Sequence, residues 1–153
     1  AIAVSLMISK KFTKKNFYSY HPGGQLGKKL LLVKNVMHSV KTLPLIKENI
    51  PMTTAIIEMT KKRFGCLGVI SKTNKLIGII TDGDLRRHMG NGILEKKTSY
   101  IMTKKPKTVD QNIFAIEALD IMEKNKITQV FVTKNNKPIG ILHIHDCIEL
   151  ELA

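Results

Sequence analysis

The chain has no tryptophan, and Phe, Tyr and Trp together make up 5% of its 153 residues, so aromatic platforms for stacking bases are scarce. Acids are also few: 12 Asp and Glu stand against 25 Lys and Arg, a formal net charge of +13. Such an excess attracts polyanions. Arginine is nevertheless rare, and only Arg63, Arg86 and Arg87 can offer the planar fork that grips phosphate or a base edge bidentately. The lysines come as dispersed pairs, Lys10-Lys11, Lys14-Lys15, Lys28-Lys29, Lys61-Lys62, Lys96-Lys97 and Lys104-Lys105. Scattered pairs suit solvated faces better than the continuous basic face of a nucleic-acid binder, so nucleic acid is not an expected partner. No apolar run approaches the roughly 18 residues a membrane helix requires, which argues against a membrane-embedded class. Ala1 to Ile8 is apolar but lacks the basic leader and cleavage pattern of a signal peptide; it reads as the middle of a helix, with a further domain expected upstream. Cys66 and Cys147, far apart and in apolar surroundings, make neither a disulfide framework nor a paired metal motif. A reducing cytoplasm is the expected location.

What is present is enough apolar residues, 43%, for a sizeable core, and an internal repeat. Met52, Ala55, Ile56 and Met59 form an i, i+3, i+4, i+7 stripe, and Ala115, Ala118, Leu119 and Met122 form the same stripe 63 residues later. Each stripe predicts an amphipathic helix with those residues buried. A short β-rich run follows each helix, Cys66 to Ile70 and Val130 to Thr133, then a polar turn at Lys72 to Lys75 or Lys134 to Lys137. Leu76-Ile77-Gly78-Ile79-Ile80 then matches Pro138-Ile139-Gly140-Ile141-Leu142 at an offset of 62, which places one lost residue between helix and turn. Each second strand runs into Asp84 or Asp146 and a closing helix, Leu85 to Met89 or Cys147 to Leu152. With weak first strands near Leu43 to Ile46 and Thr108 to Val109, each unit reads strand, helix, strand, strand, helix. Neither unit can bury its sheet alone, so an α/β module of two stacked halves with two related clefts is expected.

Val36-Met37 and Ile101-Met102 before the two units, and Gly78-Ile79-Ile80-Thr81-Asp82-Gly83-Asp84-Leu85 at the strand-to-helix corner, resemble a tandem pair of cystathionine beta-synthase (CBS) domains. The resemblance implies a CBS domain over residues 36–92 and a second over 101–153. CBS pairs bind adenosine-type nucleotides or act as regulatory and dimerising modules, so a regulatory nucleotide or nucleotide-sugar effector and a homo-oligomer are the expected partners.

Residues 1–35 stand outside the repeat. Thr13 can cap a helix from Lys14, with Asn16 at its third position and Phe17 inward, and Pro22 ends it near His21. Gly23, Gly24 and Gly27 then present His21 on a tight corner. Ser19-Tyr20-His21-Pro22-Gly23-Gly24-Gln25-Leu26-Gly27-Lys28-Lys29-Leu30 resembles the segment joining the sugar isomerase (SIS) domain to the CBS pair in arabinose 5-phosphate isomerases, as do Thr81 to Arg87 and Gly140 to Asp146. Residues 1–35 are thereby expected to be the helical tail of a SIS domain with its linker. The resemblance implies interconversion of D-arabinose 5-phosphate and D-ribulose 5-phosphate on the way to Kdo, an acidic sugar of lipopolysaccharide. It places His21 on the family's catalytic histidine and requires no cofactor. The family's other catalytic groups, a lysine and two glutamates, and the sugar-phosphate site belong to the SIS domain, so the fragment alone is expected to be inactive. A helix C-terminal histidine favoured by the dipole is the structural alternative for His21. A free-standing nucleotide-sensing CBS adaptor without catalysis is the alternative for the chain.

The resemblance further implies that Asp84 accepts from ribose hydroxyls while Thr81 faces phosphate; the alternative is helix capping by Asp82 and Asp84. The second repeat carries His143 where the first has Thr81, and Asp146 where it has Asp84, so unequal clefts are expected. His143 and His145 alternate as if on one strand and would point the same way, but two ligands are too few for a metal site, and no metal is expected.

Overall fold

The computed structural model describes residues 27, 28, 30–90 and 92–152. The expected helix from Lys14, His21 and the Gly23-Gly24 corner lie outside them. Leu31 and Val33, the latter at the start of the short helix α1 (Val33–Val36), pack into the core of the second repeat, and Val33 N donates to Ile113 O at 2.9 Å. The described part of the linker is therefore physically part of that repeat.

In the first repeat, β2 (Leu45–Lys47) leads to α2 (Met52–Lys62), β3 (Cys66–Ile70), β4 (Leu76–Thr81) and α3 (Asp82–His88). The second repeats the order with β6 (Thr108–Val109), α5 (Ala115–Lys124), β7 (Gln129–Lys134), β8 (Lys137–His143) and α6 (Ile144–Glu149). A one-turn helix α4 (Thr98–Ile101) lies between them. Seven of the eight stripe residues are buried, as their spacing requires; Ile56 alone is half-buried at the edge of its cluster. Helix α5 starts cleanly because the Glu117 carboxylate accepts from Phe114 N at 2.8 Å.

The lost residue falls in the hairpin turn, not between helix and turn. Cys66 pairs with Thr81 and its repeat mate Gln129 with His143, so β3 and β7 keep the offset of 63 and the strands after the turn shift to 62. The second hairpin closes through Asn135 and Asn136, both at positive φ (52° and 61°), the conformation a tight two-residue turn demands. The first uses a longer loop in which Ser71 Oγ accepts from Lys75 N.

The strand order departs from the sequence reading. Two further strands, β1 (His38–Ser39) and β5 (Thr103–Lys104), stand just before the repeats, and each pairs with the sheet of the other one. The sheets run β1-β8-β7-β6 and β2-β3-β4-β5, so each is completed by residues that precede the opposite unit. Close approach makes this exchange possible: a Cβ on Gly140 would collide with the Met37 sulfur, and one on Gly78 with the Met102 sulfur. The two sheets meet through Leu43, Cys66, Phe131 and Ile141. Gly68 lets them close, since a Cβ there would lie 2.7 Å from Phe131 Cζ.

Candidate functional site

Strand β4 hands over to α3 at Thr81, whose extended backbone (φ −121°) places its side chain over the helix start. Thr81 Oγ1 accepts from Asp84 N at 3.4 Å, while Asp84 Oδ2 accepts from both Thr81 N and Thr81 Oγ1 at 2.8 Å. The cap of α3 is thus Thr81 with Asp84 as its reciprocal partner, rather than Asp82. Asp84 Oδ1 accepts from Thr103 Oγ1 at 2.8 Å and from Arg87 Nη2 at 2.6 Å. With 3% exposure, Asp84 is a buried carboxylate with both oxygens engaged. Burial alone would raise its pKa, but the hydrogen bonds from Thr81, Thr103 and Arg87 hold it below the usual value.

The second corner repeats this with other chemistry. His143 caps α6, its Nδ1 accepting from His145 N at 3.2 Å, and Asp146 Oδ2 accepts from His143 N at 2.8 Å. In place of Thr103, His38 Nε2 stands 3.0 Å and 3.1 Å from the two Asp146 oxygens. His145 is not on the strand with His143 but inside α6, and the two rings stack at 4.9 Å. Burial, with His145 and His38 nearby, pushes His143 below the usual imidazole value against the pull of Asp146. Among the described residues, no group of three or more His, Cys, Asp or Glu side chains is placed to hold a metal.

A cavity of about 1040 Å³ opens between the two halves. It takes in Thr81 and Asp84 of the first corner together with His143 and His145 of the second. Asp146 is outside its lining. Arg63, Arg86 and Arg87, the only arginines of the chain, all line this cavity, and Lys105, Lys107 and Lys126 join them. Among the described residues, Asp82 and Asp84 are the only carboxylates that line it. Arg63 and Lys126 lie 63 residues apart, one repeat offset, and the stacking of the repeats brings both to the cavity. Phe64 and Ile127 supply apolar wall. Cations, an apolar wall and a few polar groups suit a phosphate-bearing organic ligand.

A duplicated strand-helix-strand-strand-helix unit whose halves stack around a cationic cleft defines a tandem-repeat α/β module. The chain belongs to the CBS domain family, which residues 33–91 and 98–153 each match. A Pyrococcus horikoshii protein of known structure shares the fold with a TM-score of 0.70 at 25% identity, over 80% of this chain and 93% of that one. The CBS pair of protein MJ0100, solved with 5′-methylthioadenosine and S-adenosyl-L-methionine, has a TM-score of 0.72 at 24% identity over 80% and 96% of the two chains, a likeness of fold. In sequence, the chain is 45% identical over 153 residues to an uncharacterized protein of Rickettsia prowazekii, covering all of this chain and 48% of that one. It is 43% identical over 152 residues to the arabinose 5-phosphate isomerase KdsD of Pseudomonas aeruginosa, covering 97% and 47%. The chain spans about half the length of the curated relatives it matches. No described helix is long and apolar enough to cross a membrane.

Proposed function

We propose that the chain is the C-terminal part of an arabinose 5-phosphate isomerase that works in the cytoplasm and supplies Kdo for lipopolysaccharide, with its CBS pair regulatory or oligomerising. The observation that carries this reading is the 43% identity to the Pseudomonas isomerase across 97% of the chain. A match that long must take in most of residues 1–32, which the CBS match leaves out. His21 then acts as acid or base in moving a proton between the first two sugar carbons, beside the lysine and glutamates of a SIS domain upstream. In the full-length parent, His21→Ala should lower turnover by about 100-fold to 10,000-fold with unchanged thermal unfolding. The 153-residue chain alone should be inactive. Unchanged turnover would reduce His21 to a helix terminus.

The effector of the CBS pair is a nucleotide held in the cleft of Thr81 and Asp84. Because both Asp84 oxygens are engaged, ribose hydroxyls would take the places of Thr103 and Arg87 as donors. Asp84→Ala should weaken binding by about 1 to 3 kcal/mol in calorimetry and Asp146→Ala by less; equal losses would overturn the preference for this cleft.

The adaptor reading has its own support: CBS pairs of similar fold, such as CBSX2 of Arabidopsis thaliana, match over 94% of their own chain. A reading frame that starts immediately before Ala1 would favour it, and one that continues upstream into a sugar-phosphate-binding domain would favour the isomerase.

A further inference from the structure

Arg63 is the C-cap of α2 and Lys126, its repeat equivalent, follows the C-cap Asn125 of α5; both stand in the left-handed region, at φ 60° and 53°. Helices that end this way normally place glycine or asparagine there, because a Cβ is disfavoured at positive φ. Here both positions carry long cations, and both cations line the cleft between the halves. Lys105, also at positive φ (52°), lines it too. The other non-glycine residues at positive φ, Asn74, Asn135, Asn136 and Glu151, are outside the lining. Every left-handed cation among the described residues therefore faces the same cavity.

The charges around it do not balance. Among the described residues that line it, six cations, Arg63, Arg86, Arg87, Lys105, Lys107 and Lys126, face two carboxylates, Asp82 and Asp84, a surplus of four. Arg87 is tied to Asp84, whereas among the described residues none of the other five forms an ion pair. Residues 1–26 contain no Asp or Glu side chain that could supply one. A single phosphate carries about −1.5 to −2 and would leave much of this surplus unmet.

We infer that the cleft selects a nucleotide bearing more than one phosphate, with Arg63 and Lys126 as a two-armed clamp, one arm from each repeat, on the phosphates beyond the first. The inference rests on the nucleotide reading of the cleft and goes further in naming the ligand's charge class and the residues that discriminate it.

The test is calorimetric titration of the 153-residue chain. The probes are adenosine, AMP, ADP, ATP and inorganic tripolyphosphate in magnesium-free buffer at two salt concentrations. Affinity should rise at least about tenfold from AMP to ATP, and the gain should shrink as salt increases. The double variant Arg63→Gly with Lys126→Gly should lose the ATP gain while keeping AMP binding, and its thermal stability should be unchanged or higher, because glycine relaxes the left-handed positions. Equal affinities for AMP and ATP would overturn the inference and leave the nucleotide reading standing. Tripolyphosphate binding as tightly as ATP would overturn the nucleotide reading while supporting the clamp. ATP affinity retained in the double variant would overturn the roles of Arg63 and Lys126, and silence with every probe would overturn both readings.

Discussion

His38 and Asp146, 108 residues apart in the chain, meet in a two-oxygen contact at 3.0 Å and 3.1 Å. His38 opens the strand that follows the linker, and Asp146 is the reciprocal partner in the cap of the last helix. The contact therefore ties the chain's approach to the module directly to the second corner of the cleft. Thr103 makes the corresponding tie to Asp84 in the first corner, through a hydroxyl instead of an imidazole.

Removing this tie should loosen the module without unfolding it. His38→Ala is expected to cost about 1 kcal/mol in urea unfolding, at the lower end for a hydrogen bond to a charged group because the histidine is partly exposed. A double-mutant cycle with Asp146→Asn should return most of that as coupling energy. Strictly additive effects would show that the two side chains do not act on each other.

Asp84 makes a different demand on pH. Its folded-state pKa lies below the ordinary carboxylate value, so the stability it contributes is complete above the unfolded value of about 3.9 and is lost as pH falls through the lower folded value. Asp84→Asn should therefore destabilise the chain at neutral pH by about 1 to 3 kcal/mol and flatten the acid limb of the stability curve. A variant curve parallel to wild type in that limb would contradict the assignment.

The exchanged strands can be tested by steric complementarity. Gly78→Ala drives a methyl group into Met102 and should cost about 1 to 3 kcal/mol. Combining it with Met102→Ala should recover part of the loss, and Gly140→Ala with Met37→Ala should behave alike. If the double variants show no relief, the leading strands do not pack across the repeats in solution.

The two cysteines should be silent in the native state. Burial pushes the Cys66 thiol up to about 12 and, together with nearby Asp146, the Cys147 thiol to about 11; both residues are fully buried. At mildly alkaline pH, a disulfide reagent should label neither until denaturant is added. Rapid native labelling at either position would show that its packing opens readily.

Local periodicity carries the helices and most strands because burial imposes it directly: Met52, Ala55 and Met59 are inside for the same reason that they recur at helical spacing. Equivalences such as Thr81 with His143 and Asp84 with Asp146 were also legible, since a duplicated unit keeps its capping chemistry. The crossing of His38–Ser39 and Thr103–Lys104 into opposite sheets was not, because two-residue strands leave no periodic trace and pairing is decided by partners far along the chain. Asp84 shows a second limit. Its identity pointed to an accessible acceptor, but Thr103 and Arg87, brought in by folding, already occupy the oxygens. His145 fell to the same ambiguity, since alternation across a strand end continues unchanged into a helix start.

The completion of each sheet by the opposite unit has a consequence for the module's inheritance. A gene segment cut between the repeats would encode a three-stranded sheet with an open edge where β5 had been, and the severed β1 would have no sheet of its own to join. Two copies of such a half could mend each other, each lending its leading strand to its neighbour, and an ancestral single unit would have lived as a homodimer for the same reason. With both units in one chain, the exchange is an internal association. Within that one chain the two corners need not be identical, and a threonine and a histidine perform the same capping task on opposite sides of one cleft.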